Sequence, residues 1–312
     1  MPMTRTVVAE AYGGPEVLAL QDIELPALSE GQVFVDVRAA GANPIDYKLY
    51  GGEMGRDPAS LPMPIGMEVA GVVAEITPGA AGYTGGLTVG DEVIVTNISG
   101  GYSDRVVAAA ADVGHKPESL TFEQAAGLLL VGGTAWHLLT NTAVGTGDTV
   151  LIHGASGGVG LMAVQLAVAR GAKVIATASP ARHAQLRGYG AEPVAYGAGL
   201  ADRIRAIGPV DAALDLVGTD EALDTSVELV ADRARIATIA GFAKAPELGI
   251  AVLTGADGGQ AIRDASRVEL VKLAAAGKLD VTVDRVFPLT EAAETHRYLQ
   301  TGHARGKVVL VP

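Results

Sequence analysis

Two patterns of apolar and polar positions divide this chain. Over residues 4–110 the apolar residues come in short runs between glycines and prolines. Val33, Val35 and Val37 alternate with Phe34, Asp36 and Arg38, and 69–76, 92–96 and 104–109 are further strand candidates. Strands this short and closely spaced predict a compact, partly open β-barrel. The segment 41–50 interrupts them with polar groups and reads as a loop carried on that barrel.

Near residue 120 the period changes to that of a helix. Thr121 stands three residues before Gln124, the spacing of a capping box, and the apolar stretches 128–131 and 136–139 follow. Strand and helix then alternate: strands over 149–152, 173–177, 193–196, 211–217 and 235–240, helices over 159–170, 181–187, 200–207 and 221–230. That alternation predicts a doubly wound parallel sheet with right-handed crossovers. Beyond Gly241 the pattern allows an edge strand over 248–253, a helix over 263–276, a strand over 281–287 and a helix over 291–299. A strong last strand, 307–311, is expected to return to the first domain, because the parallel sheet already has its six strands. The expected division is therefore 1–120 with 266–312 for the barrel domain and 121–265 for the parallel-sheet domain.

The stretch joining the first parallel strand to its helix is Gly154, Ala155, Ser156, Gly157, Gly158, Val159, Gly160. Glycines let a pyrophosphate approach the backbone, and a helix start offers unpaired N–H groups with a partial positive charge. Ala155 stands where the first glycine of the dinucleotide fingerprint would be, with Gly157 and Gly160 as the second and third. The second strand, 173–179, holds no Asp or Glu to bond a ribose 2′-hydroxyl; it ends at Ser179, and Arg182 follows. A serine and an arginine suit a 2′-phosphate, so the spacing favours NADPH over NADH.

Composition narrows the class. The 312 residues are 49% hydrophobic and 19% charged, which fits a globular protein and not a disordered one. A formal charge of -12 repels polyanions, so neither nucleic acid nor an anionic membrane is expected as partner. The chain contains no cysteine, which removes disulfides, thiolate ligands and thiol nucleophiles together, and no two of its six histidines have metal-ligand spacing on one helix. With no apolar run of signal-peptide or membrane-spanning length, a cytoplasmic location is expected.

Taken together, 13–18, 41–46, 66–73, 90–93, 133–136, 153–160 and 306–310 resemble the medium-chain dehydrogenase/reductase superfamily in its zinc-free quinone oxidoreductase branch, over nearly the full length. The resemblance implies a GroES-like barrel beside a Rossmann sheet, and hydride transfer from NADPH to a quinone or α,β-unsaturated carbonyl. Zinc-dependent members carry Gly-His-Glu and cysteine ligands, whereas this chain has Gly66-Met67-Glu68. Asn43 matches an asparagine near the nicotinamide and substrate oxygen, whose amide is expected to hold a developing enolate or phenolate. Thr134 matches a position beside the nicotinamide amide, Tyr196 one that approaches the 2′-phosphate, and Lys307 falls near the nicotinamide end. Thr177 and the strand-end residues Val217, Ala240, Gly241 and Phe242 complete the expected cofactor contacts. Tyr47, Lys48 and Tyr50 are candidate proton donors, and 51–61 a candidate lid. The family implies a homodimer, with 248–253 as its edge strand. Two other functions fit the same residues. An enoyl-thioester reductase would use Arg56 and the loop 51–64 at its entrance, and a non-catalytic NADPH-binding protein would serve a structural or sensing role.

Overall fold

The eleven-residue strand Gln32–Ala42 is the spine of the barrel unit. Val33, Val35 and Val37 point inward and are buried, each contributing about 1.5–3 kcal/mol relative to an exposed side chain. Along one edge the spine pairs antiparallel with Glu68–Ile76. Its other edge is shared: Arg105–Ala109 pairs with residues 32–36 and the last strand, Lys307–Val311, with residues 40–42. The sheet continues as Glu92–Thr96 and Val113–His115 on one side and Val283–Pro288 on the other. A smaller sheet joins Met3–Ala9 to Leu18–Glu24 and Met63–Pro64. The computed structural model describes residues 2–256 and 258–312.

One correction concerns 41–50, expected as a loop. Its first two residues end the spine strand, and Pro44–Gly51 is a helix. Asn43 is extended and caps it, Pro44 supplies a preset φ at the first turn, and Asp46 accepts the Asn43 N–H at 2.8 Å. Gly52, at φ 81°, ends it. The polar residues that look like a loop are a cap and a first turn.

In the other unit the strands run Glu192–Val194, Lys173–Thr177, Thr149–His153, Ala212–Asp215, Ile236–Thr238, Ala251–Val252 across the sheet, all parallel. This is the doubly wound order, with a reversal beside the first strand. Val150, Leu151 and Ile152 are fully buried because helices cover both faces. The helix Gly158–Ala169 follows the first strand and is buried from Gly160 to Ala167. At the far edge only Ala251–Val252 is strand, since Ala245–Leu248 forms a helical turn closed by Gly249 at φ 67°.

The barrel unit extends to Leu130 and takes up Val271–Gly277 and Val281–Pro312; the other comprises Val131–Leu270 and Lys278–Asp280. The division falls after 130 and not after 120 because the helix Phe122–Ala125 packs on the strands Gln32–Ala42 and Glu68–Ile76. Among the described residues no helix is long and apolar enough to cross a membrane.

Candidate functional site

The glycine loop leaves the first parallel strand at Gly154, whose φ of 72° only glycine takes without strain. Thr177 ties the loop to the second strand: its Oγ1 accepts Gly154 N–H at 3.3 Å and its carbonyl accepts Ala155 N–H at 3.1 Å. The two later glycines do different jobs. A Cβ on Gly160 would lie 2.4 Å from the Gly154 carbonyl oxygen, so the third glycine lets helix and strand close up. A Cβ on Gly157 would meet only that oxygen, at 3.7 Å, so the loop is open there. Open backbone at a helix start fits a pyrophosphate.

Two neighbouring loops hang on one buried pair. Asp215, at the end of the fourth strand, accepts the N–H groups of Val217 and Gly218 at 3.1 and 3.0 Å and the Thr238 hydroxyl at 2.6 Å. Thr238 Oγ1 in turn accepts Ala240 and Gly241 N–H at 3.0 and 2.8 Å. The expected cofactor residues Val217, Ala240, Gly241 and Phe242 are thereby held on linked turns, with Val217 and Phe242 exposed. His153, buried beside Asp215, has its pKa lowered to about 4 by desolvation and is neutral.

On the other side of the first strand, Ala178 N–H bonds Val194 O at 3.1 Å and sets Ser179 and Tyr196 at adjacent strand ends. Tyr196 is 62% exposed. Arg203 grips its loop through the carbonyls of Ala195, Gly197 and Ala198, and Glu221 accepts Gly197 N–H at 3.0 Å. Arg182 follows Ser179 in a single turn, Pro180–Arg182, and bonds Gln185. The Arg203 clamp has no signature in the sequence, where Arg203 reads as one of several charges on a short helix. Thr134 lies buried on the helix Leu129–Asn141.

The barrel unit contributes a buried polar cluster. Lys307 Nζ donates to Asn43 Oδ1 at 2.5 Å, Glu68 Oε1 at 2.9 Å and Ala42 O at 3.3 Å. Asn43 Nδ2 donates to Gly41 O and Glu68 Oε1, both at 3.1 Å, and Glu68 Oε2 accepts Leu130 N–H at 3.0 Å. Lys307 is 3% exposed, Asn43 1% and Glu68 0%. Gly41 makes the approach possible, since a Cβ there would sit 2.5 Å from Glu68 Oε1. This geometry corrects the expected role of Asn43. Both amide hydrogens are spent within the cluster, so its side chain anchors Lys307 and has no N–H left for a substrate oxygen.

The other candidates separate. Tyr47 and Lys48 are half-buried on the helix Pro44–Gly51, and burial raises the Tyr47 pKa. Tyr50 is fully buried and its hydroxyl is 2.7 Å from His296 Nδ1, so it is a core residue and not an accessible proton donor. Arg56 is exposed 5.8 Å over the Tyr12 ring, and Asp57 exchanges two hydrogen bonds with the Tyr12 hydroxyl, at 3.0 and 2.8 Å. The segment expected as a lid is thus tied at its middle.

Comparison with known proteins accounts for the pairing of these two folds. The family described as "Alcohol dehydrogenase GroES-like domain" matches residues 29–191, and that described as "Zinc-binding dehydrogenase" matches 189–310. A quinone oxidoreductase of Pseudomonas aeruginosa is 34% identical over 337 residues, covering 99% of this chain and 100% of that one. The human quinone oxidoreductase is 40% identical over 179 residues, 56% of this chain, and there the chain spans 53% of the human protein's length. Among solved structures, the quinone oxidoreductase from Coxiella burnetii superposes with a TM-score of 0.84 at 32% identity, covering both chains completely.

Proposed function

This chain belongs to the medium-chain dehydrogenase/reductase superfamily, in its quinone oxidoreductase branch, and from that premise we propose that it is an NADPH-dependent, zinc-independent reductase of quinones or α,β-unsaturated carbonyls. The observation that carries the reading is the cradle at the head of the parallel sheet, open at Gly157 and tight at Gly160. The bound nucleotide supplies a hydride at its nicotinamide ring. Backbone N–H groups at the start of Gly158–Ala169 bind the pyrophosphate, and the linked loops at Val217 and Ala240 flank the nicotinamide end. Ser179, Arg182 and Tyr196 take the 2′-phosphate; the second strand carries no carboxylate of its own, and Glu221, beside the Tyr196 loop, is held by Gly197 N–H.

Zinc independence is supported by the residues themselves. The chain has no cysteine, and Met67 stands where zinc-dependent members carry histidine. The neighbouring Glu68 already has both oxygens occupied, one by Lys307 and Asn43 and the other by Leu130 N–H. The positive charge near a reduced acceptor oxygen is then the Lys307 ammonium. Its 3.3 Å contact with Ala42 O is the longest of its three, so that N–H is the one that would leave its acceptor to meet an oxyanion. The reading includes a cytoplasmic homodimer, to be checked by light scattering.

Titration with NADPH and with NADH, followed by a small para-quinone while reduced-nicotinamide absorbance is recorded, tests the function. NADPH should bind at least about tenfold tighter, roughly 1.4 kcal/mol, and be oxidised only with enzyme and quinone together. Absence of nucleotide binding overturns the cradle. Binding without turnover on quinones or enones overturns this reading, and acyl-thioester turnover then separates an enoyl-thioester reductase from a non-catalytic NADPH binder.

A further inference from the structure

Four side chains in the barrel unit's core form an unbroken line of hydrogen bonds that hydride transfer itself does not require. Tyr50 Oη lies 2.7 Å from His296 Nδ1, and His296 Nε2 lies 3.0 Å from Tyr102 Oη. Tyr102 donates to Asp46 Oδ2 at 2.9 Å, and the same oxygen accepts Asn43 N–H at 2.8 Å. None of the four side chains is more than 1% exposed. Tyr50 stacks on the His296 ring, with centroids 5.5 Å apart and planes 3° apart, while Tyr102 meets it edge-on at 69°. A Cβ on Gly66 would fall 2.5 Å from Tyr102 Cδ1, so the glycine admits the ring.

The direction of every bond follows from the end at Asp46. Burial lowers the pKa of His296 to about 4, so the ring is neutral, with one donor and one acceptor nitrogen. Tyr102 has a single hydrogen and spends it on Asp46. Its oxygen therefore accepts from Nε2–H, which leaves Nδ1 to accept from Tyr50. Asp46 Oδ1, the other carboxyl oxygen, is buried with no hydrogen-bond partner.

We propose that Asp46, braced by Tyr102, His296 and Tyr50, is a positioning residue for the reaction: its carboxylate fixes the turn at Asn43, Asn43 Oδ1 then fixes Lys307, and a proton taken up at Asp46 Oδ1 loosens that hold. The proposal rests on the reading of Lys307 given above. Protonation at Oδ1 removes the charge that strengthens the bonds Oδ2 accepts from Asn43 N–H and Tyr102. The groups facing the carboxyl are Lys307 from the last strand, Glu68 from its strand, Tyr102 with His296 behind it, and Tyr50 on its own helix, with Tyr47 edge-on to the His296 ring. Burial raises the Asp46 pKa to about 7, Glu68 adds to the rise, and Asn43 N–H, Tyr102 and Lys307 oppose it. The hold therefore changes within the ordinary assay range.

The test is the pH profile of kcat and of both KM values for quinone reduction in wild type, Asp46→Asn and Tyr102→Phe, between about pH 5.5 and 9. Wild-type kcat is expected to fall on the acid side with an inflection near 7. Tyr102→Phe removes a donor that favours the carboxylate, so its inflection moves to higher pH while KM for NADPH stays put. Asp46→Asn abolishes the inflection, which a purely structural role would not do. If Tyr102→Phe does not fold, Asp46→Asn decides alone, because its amide oxygen still accepts Asn43 N–H. Wild-type turnover whose inflection survives Asp46→Asn overturns the positioning role and leaves the function intact. Wild type that oxidises no NADPH with quinones or enones overturns the function and the positioning role with it.

Discussion

Lys307 has its ammonium buried with three acceptors, and the cost of disturbing it is set by what is left behind. Lys307→Met strands the Glu68 carboxylate and Asn43 Oδ1 without a cation. Breaking a buried pair from one side costs about 3–5 kcal/mol, so urea unfolding should show a loss of that size. Adding Glu68→Gln should recover part of it, and strict additivity in the double-mutant cycle would refute the coupling. Three buried groups set a second prediction, on pH and stability. Asp46 has a folded pKa of about 7 against an ordinary 3.8, so its contribution is present at low pH and lost as pH rises through 7. His153 and His296, at about 4 against 6.5, contribute above 6.5 and lose that contribution as pH falls towards 4. Two histidines outweigh one carboxyl, so the protein loses stability on acidification through this window. Asp46→Asn removes the opposing slope. Its Tm should drop more steeply between about pH 6.5 and 4.5 than that of wild type, and an unchanged slope would deny the raised Asp46 pKa. Of these residues Asn43 was singled out by the family resemblance, whereas the cap it forms with Asp46 was not read from the sequence. The partnership of Asn43 with Lys307 was not: the two stand 264 positions apart, and only the pairing of the last strand with the spine joins them. His296, 246 positions from Tyr50, is hidden in the same way.

At the scale of elements, the parallel strands and their helices were legible because both faces of the sheet are covered and each strand is a short apolar run. The segment Pro44–Gly51 misled for a physical reason: caps and first turns use the same polar residues and proline that loops use. The edge strand shrank to Ala251–Val252 because Gly249 closes a helical turn where the apolar run begins. The strand, loop and helix around Gly154–Gly160 permit a test that separates packing from binding. Gly160→Ala puts a Cβ 2.4 Å from the Gly154 oxygen and forces the backbone to move, for about 1–3 kcal/mol of stability. Gly157→Ala meets that oxygen at 3.7 Å and should change stability by less than about 1 kcal/mol. Its methyl nonetheless stands on the open face of the loop, so NADPH should bind about tenfold more weakly, roughly 1.4 kcal/mol. Urea unfolding and a fluorescence titration of the two variants check both halves. Equal NADPH affinity in wild type and Gly157→Ala would mean that the pyrophosphate does not lie on that face.

For the whole molecule the governing quantity is charge. The chain carries -12 and its proposed cofactor is itself strongly anionic, so approach from a distance is opposed even though the final cradle is favourable. The two effects differ in range. Repulsion by the summed field acts over the Debye length, which shrinks from about 30 Å at 0.01 M salt to about 8 Å at 0.15 M. The attraction of the helix-start N–H groups acts within the first turn and is screened less once the phosphate is seated. Raising salt over that range should therefore increase the association rate constant of NADPH severalfold while the dissociation rate changes less, the reverse of a protein that steers its anion in. Stopped-flow quenching or transfer of nucleotide fluorescence at several ionic strengths measures both rates. An association rate that falls with salt would show that a local positive field around Ser179 and Arg182 dominates the encounter. The nucleotide would then be captured first by its 2′-phosphate and only afterwards by the glycine loop.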